Sequence, residues 1–101
     1  MKYGLSLQTR QKIGAVFSRY PQIEEAVLYG SRARGDFKNG SDIDVTLRGT
    51  DDLTGTLLSR IATDLDDQLL PYTIDLSLLK DIRNPEMMAE IEAVGVPLYK
   101  K

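Results

Sequence analysis

From Asp42 to Leu47 the chain alternates strictly, with Ile43, Val45 and Leu47 on one side and Asp42, Asp44 and Thr46 on the other. Period-2 alternation marks a half-buried strand. Such a strand cannot hide its aliphatic face alone, so the chain must supply a second layer, and helical patterns lie on either side of it. After Ser6, the residues Leu7, Ile13, Val16, Phe17 and Tyr20 recur near helical spacing until Pro21, which predicts a helix over 7–20. Asp51 and Asp52 then open a second helical pattern, with Leu53, Leu57, Leu58, Ile61, Leu65 and Leu69 as its buried stripe before Pro71. Asn84 as N-cap, Pro85 at the first helical position and Gly95 past the end bracket a third helix, with Met88, Ile91 and Val94 turned inward.

Strand signals are interleaved with these helices. Ala26 to Tyr29 is a short apolar run closed by Gly30. Tyr72 to Leu76 alternates again, Ile74 and Leu76 facing one way and Thr73 and Asp75 the other. Val96 to Tyr99 reads as an edge strand, where Pro97 is tolerated. The expected fold class is therefore α/β, a small mixed sheet with flanking helices. At 101 residues, a single domain over 1–101 is expected.

Composition narrows the chemistry. The chain has no Cys and no His, which excludes disulfides, thiol nucleophiles, imidazole bases and nearly every zinc site. Carboxylates, Lys, Tyr and hydroxyls remain. With Lys+Arg 13 against Asp+Glu 15, the net charge of -2 argues against a broad grip on a nucleic-acid backbone, so phosphate must be held locally. No apolar run suits a membrane span and the start lacks a signal-peptide block, so no membrane partner and a cytoplasmic location are expected.

Three features carry chemistry. Asp42 and Asp44, two apart on a strand, project from one face about 6–7 Å apart; a hard cation shared with substrate phosphates would relieve their repulsion. Gly30-Ser31, between a buried strand and a helical turn, presents a hydroxyl and free backbone N–H groups to an anion, with Arg32 or Arg34 as further donors. Asp75 completes a three-carboxylate cluster if its strand lies beside that of Asp42. Each has a bland counterpart: a solvated Asp pair, an N-capped Gly turn, a lone exposed Asp. Asp64, Asp66 and Asp67 read as a solvated helix face, and most tyrosines as packing residues.

Taken together, Gly30-Ser31-Arg32-Ala33-Arg34-Gly35 followed by Ser41-Asp42-Ile43-Asp44 resembles the signature of the minimal nucleotidyltransferases, the MNT family of the DNA polymerase β-like superfamily. Thr73-Ile74-Asp75-Leu76 and the closing Gly95-Val96-Pro97-Leu98-Tyr99 are similar to that family too. The resemblance implies a polymerase β palm-like core. It also implies Mg²⁺, as a pair of ions held by Asp42, Asp44 and Asp75 as catalytic and metal residues, and ATP, with its phosphates on Gly30, Ser31, Arg32 and Arg34. Tyr29 stands where many relatives carry Phe, a change expected not to matter. Larger relatives carry a further helical domain that shapes the acceptor site, for which this chain has no room. MNT proteins pair with HEPN ribonuclease toxins, so the resemblance implies an antitoxin that transfers AMP to a tyrosine of its HEPN partner. Two alternatives stay open: an antitoxin or nucleotide-binding subunit acting by contact alone, and an enzyme for a small hydroxylated acceptor.

Overall fold

A computed structural model describes residues 1–101. Four strands, β1 (Ile23–Tyr29), β2 (Ile43–Gly49), β3 (Ile74–Leu78) and β4 (Val96–Lys100), form one sheet in the order β3-β2-β1-β4. β1 runs antiparallel to β2 and to β4, whereas β2 and β3 are parallel, so the sheet is mixed as expected. The parallel pair requires a crossover. That crossover carries α3 (Gly55–Asp66), which packs on β3 and on α1 (Leu7–Ser18). The short α2 (Gly30–Arg34) follows β1 directly, and α4 (Pro85–Val94) packs against β1 and α2.

The main core lies on the sheet face covered by α1 and α3. Ile13, Val16 and Phe17 from α1 and Ile61 and Leu65 from α3 meet Ala26, Leu28, Ile43, Val45, Leu47 and Leu78 from the strands. Each fully buried aliphatic or aromatic side chain here contributes roughly 1.5–3 kcal/mol of transfer free energy. The Asp42–Leu47 alternation is thus satisfied: the aliphatic side is core, and the acidic side is left for the opposite face.

Boundaries differ from expectation for local reasons. α1 stops at Ser18, two residues short, because the residue before Pro21 is steered out of the helical region. Its cap is the expected one, Ser6 accepting from the Thr9 N–H at 3.1 Å. α3 does not begin at Asp51 and Asp52, which lie in a turn; Thr54 caps it instead, accepting from the Leu57 N–H. It ends at Asp66, and Leu69, expected on the buried stripe, is 88% exposed with φ 55° in the turn that reverses the chain toward β3. Leu7 is also exposed rather than inward. β1 begins earlier, at Ile23, and β3 is shifted to 74–78. Asn84, Pro85 and Gly95 bracket α4 as predicted, and β4 is an edge strand that pairs Pro97 with Val27 beside a register irregularity. No helix is long and apolar enough to cross a membrane.

Candidate functional site

Register brings the acids together. Asp44 on β2 is the direct partner of Asp75 on parallel β3, and on its other side it is the partner of Tyr29 on antiparallel β1. Paired residues on adjacent strands point to the same face, so Tyr29, Asp44 and Asp75 form one row across the sheet, opposite the main core. Asp42, two residues before Asp44, belongs to this face and is exposed, as is Asp75. One step further along the same face, Thr46 pairs with Ser77, and both hydroxyls are buried without a hydrogen-bond partner.

Asp44 and Tyr29 are both perturbed by this setting. Burial comes first in holding the Asp44 carboxyl above the usual range, followed by the negative charges of Asp75 and Asp42; Arg34 opposes these, and Glu90 adds to them. Tyr29, 7% exposed, has its hydroxyl pushed up by burial and by the same two acids, Asp44 and Asp75, while the neighbouring Ser77 hydroxyl acts in the other direction. Negative charge is therefore gathered around a partly buried Asp44, and a cation there would be stabilising.

The Gly30-Ser31 turn is built against this row. Tyr29 ends β1 in extended conformation, and Gly30 turns the chain into α2 with φ +76°. A Cβ on Gly30 would collide with the Asp44 carboxylate, with Cγ at 3.2 Å and Oδ2 nearer still. Glycine is thus required twice, for its φ and for space. Ser31 stands at the start of α2, partly exposed.

The two arginines part company. Arg34 is exposed and ion-paired with Asp36 and, across to α4, with Glu90. Arg32, expected as a phosphate donor, is 2% exposed, and its guanidinium donates to the carbonyls of Ser41 and Tyr3 between the rings of Phe37 and Tyr72. Three of its five N–H donors go to backbone carbonyls, in contrast to the exposed Arg34. Glu90 and Tyr72 carried no signal in the sequence that linked them to the site, because their partners Arg34 and Arg32 are remote in the chain, and Phe37, five residues from Arg32, lies in a polar loop without periodicity.

The donor set suits a hard divalent cation: three carboxylates and no nitrogen or sulfur. No group of three His, Cys, Asp or Glu side chains is placed to hold a metal ion together, so the three acids do not by themselves form a metal cluster. The residues present fit an ion completed by substrate phosphates, the usual mode for Mg²⁺, rather than one enclosed by protein.

A family model of "Polymerase beta, Nucleotidyltransferase" matches residues 11–101, which include the Gly30-Ser31 turn and all three acids. The chain belongs to this family. Solved structures similar to this nucleotidyltransferase domain include a toxin-antitoxin with AMP-PNP, at TM-score 0.72 and 22% identity over 91% of this chain and 73% of that one. Another is a tri-AMPylated Shewanella oneidensis HEPN toxin in complex with MNT antitoxin, at TM-score 0.67 and 20% identity over 93% and 71%. A third is the toxin-antitoxin MntA-HepT, at TM-score 0.69 and 20% identity over 95% and 74%. These share the polymerase β-like fold of this nucleotidyltransferase. No curated protein matches it significantly.

Proposed function

We propose that this nucleotidyltransferase is an antitoxin that transfers AMP from ATP to a tyrosine hydroxyl of a HEPN ribonuclease toxin in the cytoplasm and so neutralises it. The in-register pairing of Asp44 with Asp75, beside Gly30-Ser31 and on the face of Asp42, carries the reading that transfer occurs. The choice of acceptor is supported by the neighbours, which include an MNT antitoxin in complex with a tri-AMPylated HEPN toxin and a toxin-antitoxin with AMP-PNP.

In this reading the backbone N–H groups and hydroxyl of the Gly30-Ser31 turn hold the triphosphate, while Asp42 and Asp44 hold Mg²⁺ against it. Two such ions, when bound, neutralise charge on the attacking and leaving oxygens. Asp75, at the exposed edge of the row, takes the proton of the incoming hydroxyl as its oxygen bonds to the α-phosphorus and the bond to pyrophosphate breaks. Asp44, packed against Gly30, ties the acids to the turn, so that the geometry of one sets the geometry of the other.

The test is mass spectrometry of a HEPN partner incubated with this chain, ATP and Mg²⁺. Addition of AMP to a partner tyrosine and loss of its RNase activity are expected, with neither produced by Asp42→Asn. Full inhibition by Asp42→Asn without ATP would replace transfer by inhibitory contact. Labelling of a small aminoglycoside-like acceptor without a partner would replace the protein acceptor.

A further inference from the structure

Arg32 is a buried cation to which no carboxylate is paired. It projects from α2, one residue beyond Ser31, yet its contacts come from three other parts of the chain. Nε and Nη2 both donate to the Ser41 carbonyl, at 3.0 and 2.8 Å, and Nη1 donates to the Tyr3 carbonyl at 3.0 Å. The guanidinium carbon lies 5.0 Å from the Phe37 ring centroid and 4.9 Å from that of Tyr72. Even the N-terminal turn is shaped around it, since a Cβ on Gly4, at φ +70°, would stand 2.7 Å from Nη1 and closer still to the Phe37 ring.

Three of these partners, Ser41, Tyr72 and Phe37, adjoin the site in the chain. Ser41 immediately precedes Asp42. Tyr72 lies on the approach to β3 and Asp75, and the Ile43 N–H is bonded to the Thr73 carbonyl at 2.9 Å. Phe37 belongs to the loop that joins the Gly30 turn to β2. A desolvated guanidinium with carbonyl partners in its plane and aromatic rings over it has little freedom to move. Lysine could match the charge but not the forked donation to one carbonyl combined with a third bond and two ring contacts.

We propose that Arg32 is a positioning residue: its guanidinium fixes the strand entry at Ser41-Asp42 relative to the Gly30-Ser31 turn, setting the distance between the carboxylates and the bound triphosphate. The proposal rests on the nucleotidyl-transfer reading above. It concerns how the site is held and assigns Arg32 no contact with nucleotide.

The test compares the unaltered chain with Arg32→Lys by amide hydrogen exchange and by calorimetry with Mg²⁺ and ATP. Exchange at residues 42–45 should quicken at least tenfold while α1 and α3 keep their protection, and affinity for Mg²⁺ with ATP should fall by a similar factor. Gly4→Ala, which pushes on Phe37 and Nη1 from outside the site, should produce the same pattern more weakly. Should Arg32→Lys fail to fold, Tyr72→Leu removes one ring and keeps the comparison. Affinity within twofold of the unaltered chain overturns the proposal, as does exchange that quickens equally in α1 and α3, the mark of general destabilisation. If the unaltered chain itself binds no Mg²⁺ and ATP, the functional reading fails; the exchange pattern alone then decides whether Arg32 holds the Asp42 strand.

Discussion

The carboxylate of Asp44 occupies the space into which a side chain on Gly30 would grow. The Gly30-Ser31 turn and the acidic row are thereby one packed unit, and the glycine makes room for the protein's own carboxylate. Gly30→Ala is expected to cost about 1–3 kcal/mol through its positive φ, and more through the displaced acid. Asp44→Ala in the same chain should restore the second part only. Thermal unfolding of both single variants and the double variant measures that coupling; strictly additive effects would contradict the contact.

Asp42→Asn and Asp44→Asn should each lower transfer at least 100-fold without loss of fold. For Asp44→Asn the melting temperature should rise, since a carboxylate destabilised by burial and by Asp75 and Asp42 becomes neutral. Asp75→Asn should lose transfer but keep nucleotide affinity. Transfer assays and calorimetry separate these effects; full activity in Asp75→Asn would return that residue to the solvated edge.

Glu90→Gln releases Arg34 from its ion pair with α4 and removes a negative charge felt at Asp44. Both changes favour an incoming triphosphate. ATP affinity should increase several-fold at low salt, with the gain shrinking as salt is added. Calorimetry at two ionic strengths checks this, and unchanged affinity at low salt would place Arg34 outside the phosphate path.

Tyr20 donates its hydroxyl to Asp64, joining the end of α1 to α3. This bond, followed by burial and the charge of Asp64, raises the tyrosine above its ordinary 10.0. The stabilisation is therefore complete below that ordinary value and is lost as pH climbs through the raised one. Tyr20→Phe should cost about 1 kcal/mol at pH 7. In denaturant titrations up to strongly alkaline pH, the difference between the two proteins should close; a constant difference would show that the bond does not titrate.

Tyr29→Phe tests the reading that this ring matters more than its hydroxyl. The phenol is buried beside the Ser77 hydroxyl, with which it makes no hydrogen bond of normal geometry. Stability should stay within about 0.5 kcal/mol, because little net hydrogen bonding is lost, and transfer within threefold. Unfolding curves and initial rates decide the point.

What was legible in the sequence is what short-range periodicity encodes. Alternation at 42–47 and at 72–76 separates aliphatic from acidic faces, and it needs only the adjacency of β2 and β3 to align Asp44 with Asp75. Asn84-Pro85 and Gly95 likewise act within one helical turn and predict α4 closely. The helix expected between Asp51 and Pro71 is shorter at both ends, because Thr54, whose hydroxyl caps the actual start, prevails over the two acids, and the turn that exposes Leu69 prevails over the distant proline. Arg32 and Arg34 look equivalent in Gly-Ser-Arg-Ala-Arg-Gly. Their difference is made by Tyr3, Ser41 and Tyr72 on one and Glu90 on the other, contacts too remote in the chain for any local pattern to announce.

The single parallel pairing in the sheet makes chemistry a witness to strand alignment. Because side chains alternate, a slip of β3 by one residue along β2 would carry Asp75 to the helix-covered side and set either Ile74 or Leu76, depending on its direction, opposite Asp44. A mispaired chain would therefore lose the third carboxylate at the same moment that it exposed core aliphatics.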